Sequence, residues 1–311
     1  MKIQTKIGYL LIILGVCANG LLLYPRLESV QKSRVLGSAT PELLRGGSAK
    51  QSLWYPTKVS EPDTNGVGAS AFLVFDKETS NVLIEKNTDT QVAIASLTKL
   101  MTALLALENL NLQEPITITP EDIIDVKPMV GFVPGELYQG QDLLMAMLIG
   151  SCNDAAEALG NRIALAKGMK VEDAMNAKAV ELGMVNSHFM NAIGFDEVGN
   201  YSTAGDLRLL VKAILSHGVT ELIGRSTNFR LSSLAGRTTS IKSTNRLLKS
   251  HGDISTIKTG ATPEAKGAMI TQVNIDGHII CIIVLQSEDR EADTLLLKGA
   301  VANSFHWQVS N

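Results

Sequence analysis

The sequence predicts an α+β fold, in which one antiparallel β-sheet carries helices on its faces. Strand patterns occur early in the globular region, at 70–85, and again near its end, at 268–285, with helical patterns between them. Strands from both ends of a chain can share one antiparallel sheet against which the intervening helices pack. With 311 residues, 45% of them hydrophobic, the chain can form a sizeable core.

The first 24 residues predict a membrane-spanning segment. Lys2 and Lys6 precede an apolar run from Ile7 to Tyr24 that is just long enough to cross a bilayer. A small-residue pattern at Val16-Cys17-Ala18 makes a cleaved signal peptide the alternative, but the apolar run continues past it, which favours an uncleaved anchor. We therefore expect a single-pass membrane protein with its globular part outside the cytoplasm, or a secreted or periplasmic protein after cleavage.

Residues 25–65 predict a flexible linker, because they contain Pro, Gly, Ser and mixed charges without a sustained period. The globular domain is then expected to cover residues 66–311. It begins with a β-hairpin, in which strands at 70–75 and 81–85 flank a turn at 77–80.

The next element is a helix that begins at Ser96. Apolar residues at 97, 100, 101, 104 and 105 recur at helical spacing. Ser96 therefore lies in the first turn and Lys99 one turn later on the same face, where the two side chains can meet. Unpaired backbone N–H groups at the helix start suit an oxyanion beside Ser96. This arrangement is typical of a serine acyl-transfer site whose base is a lysine.

The second motif, Ser151-Cys152-Asn153, lies between two predicted helices. The almost wholly apolar run 142–149 predicts a buried helix, Gly150 ends it, and 154–159 begins the next. A tight connection between packed helices is a rigid place from which to aim a hydroxyl and an amide. Helix capping is the alternative role for this serine and asparagine.

The third motif, Lys258-Thr259-Gly260, occurs once in the chain and lies on a predicted edge strand. An edge strand can bind an extended peptide through main-chain hydrogen bonds. Lys258 and Thr259 can then take a terminal carboxylate, and Gly260 lets the substrate backbone approach closely.

Two strands at 268–275 and 278–285 follow, joined through Asp276-Gly277, a strong hairpin signal. A helix from about 291 to 305 is expected to close the domain.

In this order the three motifs resemble those of the D-alanyl-D-alanine carboxypeptidases among the low-molecular-mass penicillin-binding proteins. The resemblance runs from about Val67 to Trp307. It implies a fold of the β-lactamase/DD-peptidase type, with an all-helical subdomain inserted beside the sheet. Cys152, Ala261 and Lys266 differ from the residues that this family more often carries, which bears on substrate preference and not on the reaction. The segments that share the resemblance between the motifs are Pro134–Tyr138, Leu182–Asn191, Gly194–Asp196, Tyr201–Ala204, Asn245–Leu248 and Thr262–Ala265.

The resemblance also implies an activity, a serine-type carboxypeptidase that removes the terminal D-alanine of peptidoglycan stem peptides. The implied catalytic residues are Ser96 as nucleophile, Lys99 as base and Ser151 as proton relay. The implied substrate-binding residues are Asn153, Lys258, Thr259, Gly260 and Ala261. β-Lactams are the implied inhibitors, and neither a cofactor nor a metal is expected. We expect burial and the nearby ammonium of Lys258 to favour the neutral form of Lys99 that a base requires.

Three alternatives remain open at this stage. A muropeptide DD-endopeptidase of the same family would use the same groups. A class A β-lactamase would need a glutamate that activates the deacylating water, whereas this chain carries Leu182-Gly183-Met184 after the second motif. A catalytically silent wall-binding domain would keep the fold and the peptide groove without the chemistry.

Charge and composition exclude other functions. The net charge of −3 and the absence of a dense Lys/Arg run exclude a nucleic-acid partner. Three cysteines do not form a disulfide framework, and the spacing of the five histidines does not match a zinc site. The chain also lacks the G-x-S-x-G motif of histidine-based serine hydrolases.

Overall fold

The computed structural model describes residues 54–124, 129–219 and 223–309. The strands are β1 (Trp54–Lys58), β2 (Ala71–Asp76), β3 (Val82–Lys86), β4 (Pro115–Thr117), β5 (Leu137–Gln139), β6 (Asn228–Ser232), β7 (Thr238–Lys242), β8 (Ile254–Thr262), β9 (Lys266–Ile275), β10 (His278–Ser287) and β11 (Phe305–Val309). The α-helices are α1 (Lys99–Asn109), α2 (Gly140–Ile149), α3 (Asn153–Lys167), α4 (Val171–Leu182), α5 (Ala204–Leu215) and α6 (Arg290–Ser304). Short 3₁₀ turns occupy Ala95–Thr98, Pro120–Asp122 and Arg246–Lys249.

The central sheet has five antiparallel strands in the order β3-β2-β10-β9-β8. Strands from both ends of the domain meet in it, which confirms the predicted α+β class. The β9–β10 hairpin turns through Asp276 and Gly277, whose φ angles of 51° and 90° are those of the turn that matches strand twist. β8 lies at one edge of the sheet, as predicted for the strand with the third motif.

Each face of the sheet has its own apolar core. On one face, Leu297 and Val301 of α6 pack with Phe72, Val74 and Ile282 of the sheet. On the other face, α1 is the central helix, and its residues from Lys99 to Ala106 are buried. Helices α2 to α5 surround α1, so the serine that precedes α1 is held by the most deeply buried helix of the domain.

The helical insertion lies between β3 and β8, as the resemblance implies. It also contains two antiparallel ribbons, β4 with β5 and β6 with β7. β4 and β5 are only three residues long, too short for an alternating pattern to indicate them from sequence.

Strand β1 lies within the segment 25–65 that the sequence predicts as a flexible linker, and for residues 54–58 that prediction was wrong. β1 pairs antiparallel with β11, from Trp54 opposite Val309 to Lys58 opposite Phe305. The partner lies about 250 residues away in the chain, so local composition did not reveal the pairing.

The predicted anchor at 1–24 and the rest of the predicted linker lie outside the described residues. Within the part of the chain that the structure describes, no helix is both long and apolar enough to cross a membrane.

Candidate active site

Ser96 lies in the 3₁₀ turn that leads directly into α1. The residue before it, Ala95, has a φ angle of 48°, a left-handed conformation that costs free energy for a residue with a side chain. Two glycines pack against this turn. A Cβ atom on Gly194 would lie 2.0 Å from the Ala95 carbonyl oxygen, and one on Gly260 would lie 3.0 Å from Ser96 N. The backbone around Ser96 is therefore enclosed from two sides.

Lys99 is completely buried one turn after Ser96. Its Nζ lies 3.0 Å from Ser96 Oγ, 2.7 Å from Asn153 Oδ1 and 2.6 Å from the Ile193 carbonyl oxygen. The structure thus brings the serine and lysine of the first motif into hydrogen-bond distance, together with the asparagine of the second.

The second motif connects α2 to α3, as the sequence predicts. Ser151 is half-buried and has a φ angle of 61°, a second left-handed residue beside the first motif. A Cβ atom on the preceding residue, Gly150, would lie 2.2 Å from Ile241 Cγ2, so only glycine fits where this connection packs against β7. Asn153 is the first residue of α3, and this position lets its amide reach Lys99.

Lys258 is a second fully buried lysine, located on β8. Its Nζ donates a hydrogen bond to the Thr259 carbonyl oxygen at 2.8 Å. Burial, reinforced by the positive charges of Lys99 and Arg290, lowers the pKa of Lys258 well below its usual range. A buried ammonium is stabilised by an anion placed beside it.

The other residues of the third motif are fixed by contacts from neighbouring elements. Thr259 Oγ1 lies 2.5 Å from Thr244 Oγ1, and the Thr244 N–H donates to the Ile149 carbonyl oxygen at the end of α2. The Gly260 carbonyl oxygen accepts a hydrogen bond from Arg290 Nη1 at 2.6 Å. The sheet edge is therefore connected both to the helix before Ser151 and to α6.

Ala261 is exposed beyond Gly260 and lines a cleft of about 510 Å³. Lys266, on the same cleft, has a φ angle of 51° and pairs with Glu288 at 2.9 Å. Left-handed backbone favours glycine, so a residue with a side chain has a conformational cost at this position.

The structure therefore brings the three motifs to one place. Ser96, Lys99, Asn153 and Gly260 are linked by direct contacts. Lys258 is linked to Lys99 by an electrostatic effect on its pKa. Ser151 and Ala261 adjoin this cluster in the chain. Sequence reasoning missed the Ile193 carbonyl, Thr244 and Arg290. The asparagine and glycine of 191–194 were part of the family resemblance, but no local pattern indicates that a backbone carbonyl between them reaches Lys99.

The described cysteines, Cys152 and Cys281, are both buried. Burial raises the pKa of the Cys281 thiol to about 12, which keeps it protonated and unreactive. No group of His, Cys, Asp and Glu side chains that could hold a metal ion occurs among the residues described.

A solved structure with the same fold identifies the class of protein to which this fold belongs. Penicillin-binding protein D2 of Listeria monocytogenes, in its ampicillin-bound form, superposes with a TM-score of 0.65 and is 32% identical. The match covers 76% of this chain and 97% of that one. The chain thus has the fold of a penicillin-binding protein.

The sequence profile of the D-alanyl-D-alanine carboxypeptidase family matches residues 56–289, and the chain belongs to this family. A D-alanyl-D-alanine carboxypeptidase of Bacillus subtilis is 31% identical over 64% of this chain, which spans about half (52%) of that relative's length. A D-alanyl-D-alanine endopeptidase of Pseudomonas aeruginosa is also 31% identical, over 82% of this chain and 83% of its own.

Proposed function

We propose that this chain is a serine-type D-alanyl-D-alanine carboxypeptidase that hydrolyses the terminal peptide bond of peptidoglycan stem peptides. The observation that carries the proposal is the fully buried Lys99 amine, 3.0 Å from Ser96 Oγ, with a second buried lysine on the adjacent strand. Membership of the family supports the same activity.

In the proposed first step, Ser96 Oγ attacks the carbonyl carbon between the two D-alanines while Lys99, in its neutral form, takes the hydroxyl proton. The attack produces a tetrahedral oxyanion. Backbone N–H groups of Ser96 and Ala261 are proposed to stabilise that oxyanion. The tight packing of Gly260 against Ser96 N supports this role, because it brings the backbone of β8 beside the backbone of the nucleophile.

The substrate is proposed to bind as an added strand along β8, which lies at one edge of the sheet. Lys258 and Thr259 would hold its terminal carboxylate. The lowered pKa of Lys258 supports this, because the buried ammonium lacks a full counter-charge until a carboxylate arrives. Asn153 would contact the peptide while it also orients Lys99.

In the proposed second step the tetrahedral intermediate collapses. The C–N bond breaks, and Ser151 relays the proton that Lys99 took from Ser96 to the leaving amine of D-alanine, which returns Lys99 to its neutral form. The remaining peptide stays as an ester on Ser96. Water then attacks this ester with Lys99 again as base, which releases the shortened peptide and restores the serine hydroxyl. The rigid connection between α2 and α3, with Ser151 in a left-handed conformation, supports a fixed position for the relay.

β-Lactams are proposed inhibitors, because they present a carboxylate beside a reactive amide and would acylate Ser96. The match to a penicillin-binding protein in its ampicillin-bound form supports this.

Release of D-alanine from a stem peptide that ends in D-alanyl-D-alanine tests the proposed function. Mass spectrometry should detect free D-alanine with the wild-type protein and none with Ser96→Ala. Ser255→Ala is the matched control, because Ser255 and Lys258 repeat the S-x-x-K spacing on β8 and this variant should keep the activity. A folded wild-type protein that releases no D-alanine would contradict the proposal.

A muropeptide endopeptidase is the second candidate, supported by the Pseudomonas aeruginosa relative, whose name specifies that activity. The same assay with a cross-linked muropeptide separates the two, since cleavage of the cross-link at a higher kcat/KM than the stem peptide favours the endopeptidase. Rapid turnover of penicillin would favour a β-lactamase. No acylation by either peptide or penicillin would favour a silent wall-binding domain.

We also propose that residues 1–24 anchor the protein in the membrane, with the domain that includes β1 to β11 as an extracytoplasmic catalytic domain. Peptidoglycan lies outside the cytoplasmic membrane, so the family membership supports an extracytoplasmic location. Membrane fractionation of the full chain, with N-terminal sequencing of the recovered protein, should find an intact N-terminus in the membrane fraction. A shortened protein in the soluble fraction would show that the segment is a cleaved signal peptide.

A further inference from the structure

The Ile193 carbonyl oxygen lies 2.6 Å from Lys99 Nζ, in a loop to which the proposed mechanism gives no role. A neutral primary amine has two N–H donors and one lone pair. The carbonyl oxygens of Ile193 and Asn153 can only accept, so each takes one N–H of Lys99. The Ser96 hydroxyl, at 3.0 Å, can then donate its hydrogen to the lone pair. Two fixed acceptors therefore aim the base at the nucleophile.

The direction of the Ile193 carbonyl is set by the peptide unit that it shares with Gly194. In a planar trans peptide the C=O and the N–H point in opposite directions. The Gly194 N–H donates to Asn191 Oδ1 at 2.6 Å. The carbonyl at the other side of the same plane therefore points away from Asn191 and toward Lys99. One peptide plane is held at both ends, by Asn191 and by the base.

The Asn191 amide is itself held in one orientation. Its Oδ1 also accepts from the N–H groups of Ile193 and Phe195, both at 3.2 Å. Its Nδ2 donates to Glu197 Oε2 at 3.0 Å. Because the three N–H groups cannot accept a hydrogen bond, the oxygen of the amide must face them.

The loop has little freedom to shift away from Ser96. Gly194 has a φ angle of 86° and packs so tightly against Ala95 that even a methyl group would not fit. Two residues later, Asp196 accepts hydrogen bonds from Thr262 Oγ1 at 2.6 Å and from Glu264 N at 3.1 Å, at the end of β8. The loop that orients the base is therefore also attached to the strand proposed to bind the substrate.

We propose that Asn191 is a positioning residue for acyl transfer, which acts through the Ile193–Gly194 peptide plane to keep the Lys99 lone pair directed at Ser96. This inference rests on the proposed function, in which Lys99 is the base. The alternative is that Asn191 only stabilises a local turn, as asparagine often does.

Acylation by a fluorescent penicillin distinguishes these roles. The second-order rate constant would be measured for the wild type and variants, corrected for the folded fraction from thermal unfolding. Asn191→Ala should acylate about 100-fold more slowly, because misplacement of a catalytic group by about 1 Å has an effect of this size. The matched control is Asn200→Ala, which removes a different side-chain hydrogen bond to the same loop, from Asn200 Nδ2 to the Phe195 carbonyl oxygen at 3.2 Å. It should acylate at nearly the wild-type rate.

A rescue variant tests the acceptor directly. In the double variant Asn191→Asp with Glu197→Gln, the carboxylate still offers an oxygen to the Gly194 N–H. The amide at residue 197 now donates to residue 191, so the hydrogen bond between them is reversed and no pair of repelling carboxylates is created. It should recover most of the lost rate. If Asn191→Ala does not fold, Asn191→Ser is measured instead and should also acylate about 100-fold more slowly. The serine side chain is shorter than that of asparagine and does not reach all three N–H groups.

A wild-type acylation rate constant in folded Asn191→Ala or Asn191→Ser would overturn the inference. An equal loss in Asn200→Ala, or a rescue variant that folds but stays slow, would also overturn it. Acylation of the wild type together with its absence in Ser96→Ala tests the proposed function separately, so the failure of one proposal is distinguishable from the failure of the other.

Discussion

At the residue scale, two fully buried lysines, Lys99 and Lys258, lie among the residues of the candidate active site. Lys99 is surrounded by oxygen acceptors, whereas Lys258 has the Thr259 carbonyl and the positive charges of Lys99 and Arg290 nearby. These environments suit different proposed roles. The first lysine accepts a proton from an alcohol, and the second attracts an anion.

We predict that binding of a stem peptide takes up protons. The pKa of free Lys258 is lowered by burial and by neighbouring positive charges, and a bound carboxylate raises it again. At a pH between the pKa of Lys258 in the free protein and its higher pKa in the complex, Lys258 is neutral in the free protein and protonated in the complex. Binding therefore weakens as the pH rises through this range. Calorimetry of Ser96→Ala in two buffers with different ionisation enthalpies measures the uptake. A peptide with an amidated terminus is the control, and equal uptake with both peptides would contradict the role of Lys258.

We predict that Lys99→Arg lowers the acylation rate about 1,000-fold, within the usual range for loss of a general base. Arginine keeps the positive charge but does not become neutral in proteins, so it cannot take the Ser96 proton. Lys178→Arg is a matched control, because Lys178 is also largely buried but pairs with Glu108 and Glu181. Stopped-flow acylation by penicillin should show the loss only in the first variant, and similar losses in both would argue against Lys99 as the base.

At the element scale, the helices and strands that carry the motifs were predictable, because each has a local signature. The structure has the predicted helix after Ser96 and the predicted apolar helix before Ser151. It also has the predicted hairpin through Asp276 and Gly277 after β8. The loop at 191–196 has no such signature. Its position depends on the close approach of Gly194 to Ala95, a contact between segments about 100 residues apart that only the folded backbone reveals.

This contact gives a prediction about stability. Gly194→Ala should lower the free energy of unfolding by about 3 kcal/mol or more, because it combines an unfavourable left-handed φ with a Cβ atom 2.0 Å from a backbone oxygen. Gly236→Ala has a similar φ of 90° but open space around the added atom, so it should lose only about 1 kcal/mol. Urea unfolding of both variants measures the difference, and equal losses would show that the close approach is not rigid.

At the scale of the whole molecule, β1 and β11 join the two ends of the described domain. Both tryptophans of the chain lie in this pair, and the ring of His278 stacks on Trp307 with centroids 4.8 Å apart. Composition around residue 54 indicated only a linker, because a short exposed strand gains its stability from a distant partner. The domain that folds independently is therefore expected to begin before β1 and not at residue 66.

We predict that a fragment of residues 51–311 is more stable than one of residues 66–311 by about 2 kcal/mol, or roughly 4–8 °C in Tm. The shorter fragment loses the β1–β11 ladder and the contact of Trp54 with His278. Calorimetry of the two fragments measures the difference. Identical Tm values would show that β1 adds nothing to the stability of the domain.

Locating the acylated residue tests most directly whether Ser96 is the nucleophile of a D-alanyl-D-alanine carboxypeptidase. The protein would be trapped with penicillin, digested, and its peptides sequenced by mass spectrometry. The predicted result is a single modified peptide in which the penicilloyl group is on Ser96, with no modification of Ser96→Ala. A penicilloyl group on another serine, or labelling that persists in Ser96→Ala, would contradict it.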